Sequence, residues 1–291
     1  MKLGLGTVQF GQQYGVSNSR GKTSPEEVAR ILRLAGKIGV SVLDTAPLYG
    51  ESESVLGACL PLGHAFHLVT KTPQFAGFDV GDVAAAVDHS FRASLQRLRQ
   101  PTVYGLLVHN AADLLSANGD AIFSALEALR SDGRVTKIGV SAYSPQEIED
   151  VLARYPVDLV QIPVNVFDQR LIRSGHLGRL KSRGVEVHAR SIFLQGLLLL
   201  QPDALASYFS GVRAHLGRYR EAVHALGMTP LQGALAFVAA IPEVDVMVCG
   251  VTREADLAEI HGALRADLKV DFGEFAIDAP EIVEPRRWIL R

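Results

Sequence analysis

VYGLLVHNAADLLSANGDAIFSALEALRSDGRVTKIGVS, residues 103–141, decides the fold. It opens on an apolar run that ends at His109, continues through Phe123, Leu126 and Leu129 at helical spacing, and returns to a second apolar run, Val135 to Ser141. A short, nearly unbroken apolar run reads as a strand buried on both faces, and recurrence every three or four residues reads as a helix with one buried side. Strand, helix, strand is the unit of a parallel sheet covered by helices, because parallel neighbours need a long crossover.

The same alternation extends in both directions. Upstream, Val40–Asp44 and Leu68–Lys71 read as strands; downstream, Asp158–Gln161, Val185–Ala189 and Val244–Gly250 do. Val28, Ile31, Leu32, Ala35 and Ile38 recur at helical spacing between them, as do Val83, Val87, Phe91, Leu95 and Leu98. Three helix starts share one device, a hydroxyl cap followed by Pro and then Glu or Gln: Ser24-Pro25-Glu26-Glu27, Ser144-Pro145-Gln146-Glu147 and Thr229-Pro230-Leu231-Gln232. Residues 204–217 are irregular and read as a loop, and no linker or low-complexity stretch divides the chain. The expectation is a single (β/α)8 barrel over residues 1–291, although seven strands are one short of eight. An open doubly wound sheet competes with it. That arrangement, in its dinucleotide-binding form, wants Gly-x-Gly-x-x-Gly after the first strand, and Gly4-Leu5-Gly6 precedes any strand–helix unit.

Composition removes several classes of function. With 48% hydrophobic and 21% charged residues, the 291-residue chain can bury a sizeable core. A net charge of -2 offers no field for a polyanion, so nucleic acid is not an expected partner. Cys59 and Cys249 are isolated, which suggests neither a disulfide framework nor a metal site and fits a reducing cytoplasm. Apolar runs such as Ala234–Ile241 fall short of the roughly 18 residues that span a bilayer. A monomer is the default expectation.

In a barrel of this type the chemistry gathers where the strands end. Those ends are Asp44, Lys71, His109, Ser141, Gln161, Arg190 and Gly250, and Tyr49 follows closely on Asp44. Taken singly, Asp44 reads equally well as a helix cap, Lys71 as a solvated strand end, His109 as a core histidine and Tyr49 as a packing aromatic. Together they put an acid, a base, an imidazole and a phenol at one mouth.

With those residues in view, the sequence resembles the aldo/keto reductases. The matching pieces are Gly4-Leu5-Gly6-Thr7, Asp44-Thr45-Ala46-Pro47-Leu48-Tyr49-Gly50, Val69-Thr70-Lys71, Leu106-Leu107-Val108-His109, Ile138-Gly139-Val140-Ser141, Val160-Gln161-Ile162 and the segment from Gly250. The resemblance implies a catalytic tetrad of Asp44, Tyr49, Lys71 and His109, and a cytoplasmic NAD(P)(H)-dependent oxidoreductase that interconverts a small carbonyl compound and its alcohol. Hydride arriving at a carbonyl carbon leaves charge on oxygen, which needs a proton donor. Tyr49 fills that role, Lys71 is expected to lower its pKa, Asp44 to keep Lys71 charged, and His109 to orient the substrate oxygen.

The resemblance also implies the cofactor contacts. Gly6, Thr7 and Asp44 lie at the mouth, and Ser141 and Gln161 hold the nicotinamide amide, with Ala142 where Asn is usual. Arg190 stands where an aromatic ring commonly stacks on the nicotinamide, and Ser191, Phe193, Leu194, Gln195 and Gly196 form a loop around the pyrophosphate. Gly250, Thr252, Arg253, Asp256 and Glu259 take the adenosine end, with Thr252 expected to cap the following helix. Arg253 favours a 2′-phosphate and Asp256 opposes it, which leaves a modest expected preference for NADP(H) over NAD(H). Phe10, Leu48 and Trp288 are candidate walls of the substrate pocket. Two other functions fit the same residues: an aldolase using Lys71 as a Schiff-base nucleophile, and a sensor that binds the cofactor without turning over.

Overall fold

The computed structural model describes residues 2–75, 77, 79–264 and 271–289. Eight parallel strands pair in chain order, and the last closes on the first. They are β1 (Lys2–Gly6), β2 (Val42–Asp44), β3 (His67–Lys71), β4 (Val103–Val108), β5 (Val135–Ser141), β6 (Leu159–Pro163), β7 (Glu186–Arg190) and β8 (Val246–Gly250). The fold is the (β/α)8 barrel. Helices surround it: α1 (Val8–Gly11), α2 (Pro25–Lys37), α3 (Ser52–Cys59), α4 (Val80–Leu98), α5 (Ala111–Leu115), α6 (Gly119–Ser131), α7 (Pro145–Arg154), α8 (Arg170–Arg173), α9 (His176–Ser182), α10 (Arg213–Ala225), α11 (Pro230–Ala239), α12 (Glu254–Ala263) and α13 (Pro280–Val283). No single helix among the described residues is long and apolar enough to cross a membrane.

The three hydroxyl caps operate as their spacing predicts. Ser24, Ser144 and Thr229 each accept a hydrogen bond from the backbone N–H three residues on, and α7 and α11 have the reciprocal bond from Glu147 and Gln232 as well. At α2 the reciprocal partner, Glu27, instead accepts from the distant amide of Glu254. The irregular segment resolves into 3₁₀ turns at Pro202–Ala204 and Ser207–Val212, and α10 already begins at Arg213.

The eighth strand, β1, has a sequence that hides it. Gly4 faces inward, and a Cβ there would lie 2.8 Å from a Val246 methyl, so the strand gives up the β-branched side chain that would mark it. Its register is clear in three dimensions, with Gly6 opposite both Asp44 and Gly250.

Period-2 alternation sorts the strand residues into layers. Val42, Val69, Leu107, Leu159, Val246 and Val248 fill the barrel's interior, while the next inward positions toward the carboxyl ends are Asp44, Lys71, His109, Ser141, Gln161 and Arg190. Below the apolar layer lies a polar floor. Glu186 accepts from the Tyr104 hydroxyl (2.6 Å), Lys137 Nζ (2.5 Å) and His188 Nε2 (2.7 Å), and His67 stacks on Tyr104. Residues of opposite parity, such as Leu43, Leu68, Leu106 and Val140, pack outward into the main core.

One backbone contact fixes the loop after β2. A Cβ at Gly11 would lie 1.7 Å from the Tyr49 carbonyl oxygen and 2.4 Å from the Ser52 nitrogen, so α1 and the Tyr49 loop approach backbone to backbone. Gly11→Ala should therefore shift the urea midpoint downward by an equivalent of about 1–3 kcal/mol, the usual range for overpacking. An unchanged midpoint would show that the two segments separate at no cost.

Candidate active site

Asp44 and Lys71 close a buried ion pair at the carboxyl ends of β2 and β3. Lys71 Nζ lies 2.7 Å from Asp44 Oδ1 and donates to the Thr45 carbonyl at 3.0 Å, with the Lys71 side chain fully buried. The same Asp44 oxygen accepts from Gln161 Nε2 at 2.7 Å. Donation from that nitrogen fixes the amide's orientation and leaves Gln161 Oε1 buried with no partner. Thr7 anchors the pair from β1, donating its hydroxyl to the Asp44 carbonyl at 2.9 Å. Ser52 at the start of α3 bonds Thr7 and Thr45, so the loop bearing Tyr49 is held at both ends.

Tyr49 and His109 lie above this pair. Lys71 Nζ is 4.9 Å from the centroid of the Tyr49 ring, and the His109 ring meets Tyr49 edge-on at 5.7 Å. The structure thus brings Asp44, Tyr49, Lys71 and His109 to one mouth. Burial pushes the Tyr49 phenol upward and the Asp44 charge pushes it further, while the Arg190 guanidinium opposes both. The opposing cation is Arg190, where the sequence had pointed to Lys71. Burial drives the Lys71 ammonium downward, and Asp44 works against that. His109 falls from 6.5 to about 3 through burial and the cations Lys71 and Arg190. It is therefore a neutral imidazole at ordinary pH, and its buried Nδ1 has no partner.

Arg190 makes no ion pair among the described residues. Its guanidinium stacks on Tyr143 at 4.1 Å, and Arg286 covers the same ring at 4.1 Å. Tyr14 and Tyr143 join the mouth from loops that sequence reasoning did not single out.

A groove of about 470 Å³ leads away from this mouth. Its lining begins with Asp44, Tyr49 and His109 and includes Gly6, Thr7, Ser141, Arg190, Ser191, Phe193, Gln195 and Gly196. Gly250 at the end of β8 lines it too, followed by Thr252, Arg253, Asp256 and Glu259 on the way into α12. Leu194 and Gln161 depart from the expected lining: Leu194 is fully buried in the hydrophobic core, and Gln161, also fully buried, bonds Asp44. Thr252 is not the cap of α12. The cap position is Arg253, and the Thr252 amide and hydroxyl both donate to Asp256. Nor does Arg253 stand free beside Asp256, for the two form an ion pair. The three candidate pocket walls also lie elsewhere: Phe10 is core, Leu48 is exposed, and Trp288 packs edge-on against Phe209. None of them lines the groove.

Residues 2–273 match the model of the aldo/keto reductase family. The chain belongs to that family, and with it to the oxidoreductases that act on carbonyl and alcohol groups. It is 24% identical over 275 residues to the uncharacterized oxidoreductase YqkF of Bacillus subtilis, covering 89% of this chain and 85% of that protein. Against the L-galactose dehydrogenase of Arabidopsis thaliana it is 29% identical over 215 residues, 68% of this chain and 63% of the relative. Among solved structures, the holo form of aldo-keto reductase AKR11C1 from Bacillus halodurans superposes with a TM-score of 0.77 at 20% identity, over 99% of this chain and 95% of that one.

The depressed imidazole has a consequence for stability. The unfolded chain protonates an ordinary imidazole below about 6.5, whereas folded His109 stays neutral until about 3. Across that window the unfolded state binds the extra proton, so stability falls as pH falls and the loss is absent above 6.5. His109→Gln should therefore flatten the decline of Tm between pH 6.5 and 4. Parallel declines for the two proteins would mean that His109 titrates normally.

Proposed function

We propose that the chain interconverts a small carbonyl compound and its alcohol, with Asp44, Tyr49, Lys71 and His109 as the reacting constellation and a nicotinamide dinucleotide in the groove. The observation that carries this is the convergence of a phenol, a buried Lys–Asp pair and a neutral imidazole at one end of a single groove.

The residues present suit that cofactor. Gln9 lines the groove, and its buried Oε1 has no donor, which an amide or amine N–H of the dinucleotide answers. The groove volume falls within the roughly 300–1,000 Å³ of small-molecule sites. Gly6, Thr7, Ser141 and Arg190 would hold the nicotinamide end, with Gln161 steadying Asp44 beneath them, Ser191, Phe193, Gln195 and Gly196 the middle, and Gly250, Thr252, Arg253, Asp256 and Glu259 the adenosine end. When bound, the dinucleotide supplies or accepts the hydride.

The protein's own part is proton transfer and orientation. Tyr49, held protonated by its burial, donates its proton to the carbonyl oxygen as charge develops there. The phenolate that remains faces the Lys71 ammonium and the unpaired Arg190, and Asp44 keeps Lys71 charged and in place. Neutral His109 hydrogen-bonds the substrate oxygen and sets its direction, which an imidazolium repelled by Lys71 and Arg190 would do less well. Alcohol oxidation reverses each step, with Tyr49 as base.

The aldolase reading loses support at Lys71. Its ammonium is fully buried, committed to Asp44 and Thr45, and absent from the groove lining, so it cannot meet a carbonyl carbon. The sensor reading differs in turnover alone. Tyr49→Phe should retain dinucleotide binding, followed by fluorescence titration, and lose at least ~100-fold in kcat on an aldehyde and sugar panel, within the range for general acid catalysis. Near-unchanged turnover would overturn the assignment of Tyr49, and a wild type that binds but never turns over would favour the sensor. Lys71→Met should be more damaging than Asp44→Asn in kcat, and should also lower the melting temperature, because an unpaired buried carboxylate costs about 3–5 kcal/mol. Equal kcat for the two variants would show that the lysine charge does not act on the phenol.

A further inference from the structure

The groove runs from Asp44, Tyr49 and His109 to the start of α12, where Thr252, Arg253, Asp256 and Glu259 line it. On the nicotinamide reading, a dinucleotide with its reacting ring at the first end brings its adenosine ribose to the second. A helix start ordinarily welcomes the additional phosphate of NADP, because unsatisfied N–H groups and the helix dipole attract anions.

Here several donors at that end already serve carboxylates of the protein. The Glu254 amide, first in α12, donates to Glu27 Oε1 at 2.6 Å, across 227 residues of sequence. The Thr252 amide and hydroxyl donate to Asp256 Oδ2 at 3.2 and 2.9 Å. The Arg253 guanidinium donates through two nitrogens to Asp256 Oδ1, at 3.0 and 2.6 Å. Glu27 is held below the usual carboxylate range by the Glu254 amide and by Arg30, and in Asp256 the bonds from Arg253 and Thr252 outweigh burial in the same direction. Both are therefore charged at neutral pH. Glu254 and Glu259 add two more acidic side chains around the start of α12, where Arg30 and Arg253 already pair with Glu27 and Asp256, and Arg20 also lines the groove.

We propose that the carboxylates at this end, Asp256 and Glu259 in the groove lining and Glu27 on the Glu254 amide, disfavour a 2′-phosphate, so that the chain selects NAD(H) over NADP(H). This is the reverse of the preference read from the sequence, and it rests on the nicotinamide reading of the site. A 2′-phosphate, carrying a charge of about −1.5 to −2, would have to strip Asp256 from Arg253 and Thr252, or Glu27 from α12, and then sit beside the displaced carboxylate. A free hydroxyl brings no charge to this acidic end and can donate to Glu259, which lines the groove and makes no ion pair among the described residues. Arg253 counts for little in the choice because its charge is already matched.

Equilibrium binding of NADH and NADPH to the full chain, by calorimetry or quenching of bound-cofactor fluorescence, tests this without any turnover. The wild type should bind NADH at least ~10-fold tighter, the equivalent of one 1.4 kcal/mol step. Glu27→Gln and Asp256→Asn preserve shape while removing charge, and the double variant should move the ratio toward NADPH by ~10-fold or more, mainly through tighter NADPH binding. A wild type that binds NADPH as tightly as NADH would overturn the proposal, as would an unmoved ratio in a double variant with a native melting transition. Binding of neither dinucleotide would overturn the nicotinamide reading and this inference together.

Discussion

Two opposite charges taken out of water at the ends of β2 and β3 set the terms for everything around them. Neither Asp44 nor Lys71 is tolerable there alone, because a lone buried ion carries a desolvation cost that only a partner and full hydrogen bonding offset. The surroundings meet that demand from several elements. Gln161 comes from β6, the Thr45 carbonyl from the loop, and Thr7 steadies Asp44 from β1. The pair thus fixes strand ends on both sides of the barrel relative to each other, and the loop carrying Tyr49 is tied to them by Ser52. The reactive geometry and the satisfaction of a buried charge are one structural solution.

Legibility in the sequence followed the strength of local signals. β5 and the capped starts of α2, α7 and α11 were readable because a β-branched run or a hydroxyl–Pro–Glu/Gln pattern is local chemistry. β1 was not, since Gly4 must lack a side chain to admit Val246 and so carries no strand signature. Asp44, Lys71, Ser141 and Gln161 stood out because polar residues ending apolar strands must face the mouth by alternation alone. Tyr14 and Tyr143 did not, because loop aromatics have no periodicity to place them. Glu27 was read only as part of a helix start, and its partner lies 227 residues away. The Arg253–Asp256 pairing was the exception, since three-residue spacing on a helix is a signal that was present and weighed as opposition instead of attraction.

Arg190 gives the mouth an electrostatic character that residue-by-residue reading did not anticipate. It has no carboxylate, yet it is not loose: Tyr143 lies between it and Arg286, and Arg286 in turn bonds Glu284 and Glu147. Glu284 is buried and also receives Arg170 and Arg287. The segment after α13 is thereby coupled, through one aromatic ring, to the cation that lowers the affinity of both Tyr49 and His109 for protons.

The apolar layer of Val42, Val69, Leu107, Leu159, Val246 and Val248 has a consequence for proton economy. It lies between the Asp44–Lys71 pair and the Glu186 floor, and it is interrupted at β7 by His188, fully buried, bonded to Glu186 and in register with Gln161. The strands that contribute to the layer present hydrocarbon beneath the pair, whereas β7 presents an imidazole. On the proposed mechanism Tyr49 opens onto the groove that reactants and products occupy, so departure of product and return of the proton share one doorway.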